Sequence, residues 1–393
     1  MVKTKKAASR KIVFSLLFFY LAIIVYILFS FLQTTLFSMI IPNSIFSLAK
    51  YLSLGLFILS IVSAKYTKKQ ALITIWAILL AILIYHNSGD TSILLLIAFL
   101  LSSFNKSIDN IVRVYMILAT LLLIITMTSS LLGMINNYKY IVDGSTRLAF
   151  GFLYTTDFAA HVFYLCVSFA FVVRNKLKNI YILVPILLTL VVYFFTKAKL
   201  DSFLMVLVSI TMFYYKFGKH AIVVKGRWIL TVTPFLLATV SILFSKIYNA
   251  NNHIFFAIDR FFTNRLAIGH LALYEYPMKF FGQYISQRGS GGLSFDTGLT
   301  PHGSNLSYFF IDSSYIKMLL GFGVVFFFVY LFSISYVINE TVKKNDILLA
   351  LLLVIICISS LIDHHMLEIA YNPFLVVVMM IPNLKNNKVA TEL

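Results

Sequence analysis

Long apolar runs recur from one end of the chain to the other, and they restrict its fold more than any other feature. They cover residues 12–32, 44–63, 71–86, 91–104, 112–134, 152–173, 180–195, 200–215, 229–247, 311–337, 346–362 and 366–382. A run of about 20 apolar residues crosses a bilayer as a helix, because lipid offers backbone amides no partner and a helix satisfies them internally. Charged residues make up only 12% of the 393, about half the share in a soluble domain. The expected fold class is therefore all-α: a polytopic transmembrane bundle of about 12 helices forming one integral membrane domain over residues 1–393. A soluble enzyme, a disordered chain and a coiled coil are excluded. An outer-membrane barrel would show short segments of alternating polarity instead.

The distribution of charge sets the expected orientation. Basic clusters at Lys3–Lys11, Lys65–Lys69, Lys106/Arg113, Arg174–Lys178, Lys216–Arg227, Lys343/Lys344 and Lys385/Lys388 fall on one side of the bilayer if the N-terminus is cytoplasmic, and most of the acids fall on the other. Positive charge accumulates on the cytoplasmic side, so both termini are expected there. The basic N-terminus followed by a long apolar run reads as a first membrane helix rather than a cleaved leader. The net charge of +18 is spread over these short clusters, so it carries no signal for nucleic acid. Cys166 and Cys357 both lie in apolar runs and suggest neither a disulfide framework nor a metal knuckle.

Two connections on the outer side are long. Residues 134–151 form a moderate loop, and residues 248–310 form a large, partly helical extracytoplasmic loop. Loops of this length in a compact membrane protein are usually functional or disordered, and the larger one is not of low complexity. The first half of the larger loop places Phe255, Ile258, Phe262, Leu266 and Leu273 at helical spacing, as one continuous helix on the outer leaflet. Many ionisable residues sit near outer helix ends, including Arg147, Asp157, His161, Lys197, Lys199, Asp201, Arg260, Arg265, Arg288, His302, Asp312, Lys317, Asp363, His364, His365 and Glu368. Charge at membrane depth is costly and tends to face a wet cavity. Snorkelling to headgroups is the bland alternative for the Lys and Arg, and an ordinary tight turn is the bland reading of 194–201. His364 and His365, with Glu368 four residues beyond His364, read as a turn in the last outer loop rather than a metal site.

The segments STRLAFGFLYTTDFAAHVFYL (145–165), FFTKAKLDSFLMVL (194–207), FFTNRLAIGHLALY (261–274) and IDSSYIKMLLGFGVV (311–325), in this order within twelve spans and around a large outer loop, resemble the Wzy-type polysaccharide polymerases and their relatives, the O-antigen ligases. The resemblance covers most of the chain in architecture and about 60 residues in motif. The chain departs from the family pattern at two places. Lys197 and Lys199 stand where the family carries Arg, and His302 and Asn305 are separated where ligases pair His with Asn.

The resemblance implies a class C glycosyltransferase that moves a sugar chain from one undecaprenyl diphosphate to a hydroxyl on another lipid-linked repeat unit, outside the membrane. Capsule, exopolysaccharide or O-antigen would be the product, and a chain-length regulator protein a further partner. The donor brings its own leaving group, so no cofactor or nucleotide is needed. Fixed cations stabilise the leaving diphosphate, and Arg matches phosphate oxygens with its planar fork. Arg147, Lys197, Lys199, Arg260 and Arg288 are the expected diphosphate and sugar contacts. Arg265 is expected at the reacting centre, and His302 or Asp312 as the base for the acceptor hydroxyl. No metal is demanded, and Asp157 or Asp312 would be the contacts if a divalent ion took part. The rival readings are a ligase acting on a different acceptor and a flippase for the lipid-linked unit, which would spread charge along helix midplanes instead.

Overall fold

The computed structural model describes residues 2–142, 144–262, 264–287 and 309–380. The helices are α1 (Val2–Gln33), α2 (Asn43–Ser63), α3 (Lys68–Ser88), α4 (Ser92–Ser102), α5 (Ile108–Leu131), α6 (Thr155–Val173), α7 (Asn179–Thr196), α8 (Lys199–Phe217), α9 (His220–Lys225), α10 (Arg227–Lys246), α11 (His253–Phe261), α12 (Arg265–Glu275), α13 (Ser314–Lys343) and α14 (Ile347–Ser359). Among the described residues, nine are long and apolar enough to cross a membrane: α1, α2, α3, α5, α6, α7, α8, α10 and α13.

Their packing inverts that of a soluble bundle. Large apolar side chains such as Leu48, Leu72, Ile117, Leu190 and Phe213 point outward and exposed, which is stable only against lipid. Serines and threonines turn inward: Ser15 meets Ser60, and Ser209 donates to the Ile182 carbonyl. Small hydroxylated residues let membrane helices approach closely and share hydrogen bonds. α6 is the central element, with 67% of its span buried against 17% for α3 at the periphery.

Three expected spans take another form. Residues 91–104 and 346–362 yield α4 and α14, of 11 and 13 residues. At 1.5 Å per residue these rise only about 16 and 20 Å, short of the hydrocarbon core. Both are buried on nearly every face. The span at 366–382 is no α-helix in its described part: turns occupy 361–372, and Pro373–Met380 is a buried 3-10 helix. The connection at 134–151 also holds more order than a loop. Strands β1 (Lys139–Val142) and β2 (Ser145–Leu148) form an antiparallel hairpin that sets Tyr140 opposite Arg147.

The expected single helix of the large outer loop is broken into α11 and α12. Asn264 adopts left-handed backbone at φ 64°, and Asp259 Oδ1 accepts the Leu266 and Ala267 amides, capping α12 from α11. Residues 276–287 then lie against an irregular π-turn in α13 at Met318–Phe322. The Gly321 carbonyl receives the Gln283 amide, and Val324 and Val325 donate to Lys279 and Phe280. Gly282 and Gly323, at φ 76° and 90°, permit this backbone-on-backbone contact. A Cβ on Gly282 would stand 2.1 Å from the Gly321 oxygen.

The two ends of the bundle differ. At one, Arg174 pairs with Asp109 at 2.7 Å, approaches Asp346 at 3.9 Å and covers the Phe171 ring, tying α5, α6 and α14 together. The opposite end carries the hairpin, the first turns of α6 and α8, α12 and the 361–372 turns, and these enclose a cavity.

Candidate functional site

The cavity at the hairpin end has a volume of about 480 Å³. Its charged lining comprises Arg147, Asp157, Asp201, Arg265, Asp312, Asp363, His365 and Glu368, beside Tyr140, Tyr154 and Tyr371. Each charge arrives at an element's end. Asp157 and Asp201 sit in the first turns of α6 and α8, where the helix dipole favours a carboxylate. Arg265 opens α12, whose start is fixed by the Asp259 cap.

Arg265 makes two links across the fold. Its Nη1 donates to the Ile362 carbonyl, and its Nε lies 3.5 Å from Asp312 Oδ2. Burial raises Asp312 above the usual carboxylate range, against the pull of Arg265. Arg147 presents a buried Nε with no hydrogen-bond partner among the described residues.

The 361–372 turns are anchored by Ser314, whose amide and hydroxyl donate to the Asp363 carbonyl at 3.1 and 2.5 Å. A column of rings then sets the histidines. Phe31 and His161 stand 4.2 Å apart, His161 and Tyr371 3.9 Å, Tyr371 and His365 3.7 Å, and His365 and His364 4.0 Å. His161 is further held by Thr34 Oγ1 at 3.1 Å.

The His365 ring sits between two acids, with Nδ1 2.9 Å from Glu368 Oε2 and Nε2 3.3 Å from Asp363 Oδ1. Burial alone would lower its pKa, but Asp363 and Glu368 outweigh burial and push it up to about 9. Burial likewise opposes the charge on Glu368, yet His364, Lys317 and His365 hold it well below the usual range. His364 is pushed well below its ordinary value by burial and by the neighbouring His365. His364 and Glu368 also line a second cavity of about 270 Å³, together with Tyr26, Asp90 and Lys317.

Of the residues expected from the sequence, Arg147, Arg265 and Asp312 meet in the main cavity. Lys197 does not line it: the residue ends α7 in left-handed backbone and lays its ammonium over the Tyr193 and Phe194 rings. Lys199 and Arg260 are exposed and also stand outside the lining. Arg288 and His302 lie outside the described residues. The assignment from sequence left out Asp201, Asp363, His365 and Glu368, and named Asp157 only as a contact for a divalent ion. Their signal was present as ionisable groups breaking apolar runs, but a diphosphate ligand calls first for cations, which acids do not supply. In comparisons with protein-family models, curated proteins and solved structures, none matches this chain.

Proposed function

We infer that the chain is a polysaccharide polymerase, joining undecaprenyl-diphosphate-linked oligosaccharide repeat units by glycosyl transfer at the outer face of the cytoplasmic membrane. One observation carries this reading. All four segments behind the resemblance, 145–165, 194–207, 261–274 and 311–325, send residues to one cavity: Arg147 and Asp157, Asp201, Arg265, and Asp312.

The lining suits a sugar diphosphate. Arg147 and Arg265 face the diphosphate and stabilise the charge it gains as it leaves. The carboxylates and tyrosines accept sugar hydroxyls and pack against sugar faces. The acceptor hydroxyl oxygen attacks the anomeric carbon, and the bond from that carbon to the diphosphate oxygen breaks. The hydroxyl proton passes to Asp312, and undecaprenyl diphosphate leaves with the bonding electrons. Asp312 suits the part because burial raises its proton affinity while Arg265 keeps its carboxylate form accessible.

Reconstitution in liposomes with lipid-diphosphate-linked repeat units, and no nucleotide sugar, tests the reading. A ladder of lengthening glycolipids supports polymerisation. A single transfer to a different acceptor would make the chain a ligase. Movement of the unit between leaflets with no new bond would make it a flippase.

A further inference from the structure

We propose that Asp363, His364 and His365 form a divalent transition-metal centre of the zinc type, open toward the main cavity. The proposal rests on side-chain geometry and does not depend on the transferase reading. One donor atom from each of the three residues lies within 4.8 Å of the others. Asp363 Oδ1 stands 3.3 Å from His365 Nε2 and 3.8 Å from His364 Nδ1. Donors sharing a tetrahedral ion at about 2.1 Å stand about 3.4 Å apart.

Hydrogen bonds do not account for the placing of His364. His364 Nδ1 is buried and has no hydrogen bond among the described residues. It sits 3.7 Å from Asp312 Oδ1 and 3.8 Å from Asp363 Oδ1, beyond hydrogen-bond reach of both. A second observation comes from another residue of the cavity lining. Asp201 is only 6% exposed, yet its Oδ1 finds no hydrogen-bond partner among the described residues. A buried acceptor left unpaired is costly, and a cation or its bound water in the cavity would supply the partner.

The surroundings are those of a ligand set held in place. Glu368 takes His365 Nδ1 at 2.9 Å, which leaves Nε2 as the donor nitrogen, and a carboxylate behind a histidine is the usual support for a bound metal. Lys317 holds Glu368 from the far side at 3.4 Å. The ring column fixes the imidazole planes, and Ser314 fixes the Asp363 backbone. Neighbouring residues on an α-helix diverge around the axis, but His364 precedes a 3-10 turn, His365–Leu367, and both rings turn to Asp363. Two imidazoles and a carboxylate favour zinc over magnesium or calcium. A dication also adds positive charge to a lining in which five carboxyl groups face two arginines and His365. A metal with an open position acts as a Lewis acid on a phosphoryl oxygen.

The test uses untagged, full-length protein in detergent, stripped with a chelator and dialysed against buffered nanomolar free zinc. Bound metal is counted by mass spectrometry, and its ligands are read from zinc K-edge absorption. One zinc per chain, with two imidazoles in the absorption spectrum, is expected. The triple variant Asp363→Asn, His364→Ala, His365→Ala should bind none. Glu368→Gln should keep the site but weaken its affinity about 10- to 100-fold. Wild-type protein without stoichiometric zinc, a spectrum lacking imidazole, or a triple variant that keeps its zinc would overturn the proposal. The wild-type measurements decide the matter even if the triple variant does not fold. A zinc-loaded protein that makes no polymer would refute the polymerase reading and leave the metal centre standing.

Discussion

Arg265 Nε lies 3.5 Å from Asp312 Oδ2, across 47 residues of chain, so the cation and the base of the inferred reaction form one ion pair. Their contributions to the rate are therefore coupled. Arg265→Ala should slow polymer formation in liposomes about 10²- to 10³-fold, the range for loss of one donor to developing charge. Asp312→Asn should be comparably slow, and the double variant little slower than either single one. Additive losses in the double-variant cycle would show that the pair does not act as a unit.

Asp259 does not line the cavity, yet it should matter for rate. Its carboxylate caps α12 at Leu266 and Ala267 and takes the Tyr248 hydroxyl at 3.1 Å. Asp259→Ala should cost about 1 kcal/mol of stability, the range for a lost helix cap. Because Arg265 opens that helix, the rate should fall while lipid-linked donor still binds. Thermal unfolding in detergent, set beside initial rates, separates the two effects.

At the far end of the bundle, Arg174 should act on stability alone. Its side chain is 11% exposed and bridges Asp109 and Asp346. Arg174→Ala leaves two partly buried carboxylates facing each other and should cost about 2 kcal/mol, below the range for a fully buried pair. Rate per folded molecule should be unchanged. A rate loss exceeding the loss of folded protein would contradict this division between the ends.

Lys106 gives a pH dependence of known sign. Its ammonium, beside the Ser15 hydroxyl, the Ser102 carbonyl and the Phe19 ring, is lowered by burial from 10.5 to about 8. Between these values the unfolded chain holds a proton that the folded chain has released. Stability therefore rises with pH from about 8 to about 10.5 and is flat, for this group, below 8. Tm measured across that window should climb in the wild type, and Lys106→Met should remove that part of the slope.

The apolar runs made the long helices legible, because crossing lipid requires length and uniform hydropathy together. They did not distinguish α4 and α14, which are as apolar as any span but surrounded by protein. Hydropathy reports transfer out of water, not whether lipid or a neighbouring helix receives the side chain. The 373–380 segment escaped for the same reason. The β1–β2 hairpin mixes apolar and polar residues over two very short strands, and its pattern disappears beside runs of twenty apolar residues. Within the site, Arg147, Arg265 and Asp312 were readable as charges beside apolar helices. Lys197 was not separable from them, because its departure from the cavity depends on the left-handed residue that ends α7 and on the rings it covers. The His364–His365 pair looked like a plain turn, since sequence spacing gives no hint that both rings face Asp363.

The column from Phe31 through His161 and Tyr371 to His365 joins the first helix to a turn more than 300 residues later. Orientation at the acidic turn is thus inherited from a side chain with no chemistry of its own. Phe31 also meets Phe152 edge-on at 5.6 Å, so the segment between the hairpin and α6 leans on the same ring. A genetic screen for lost polymer should therefore return Phe31 and Phe152 among the charged residues, and such alleles would mimic active-site lesions while sitting entirely in the apolar frame.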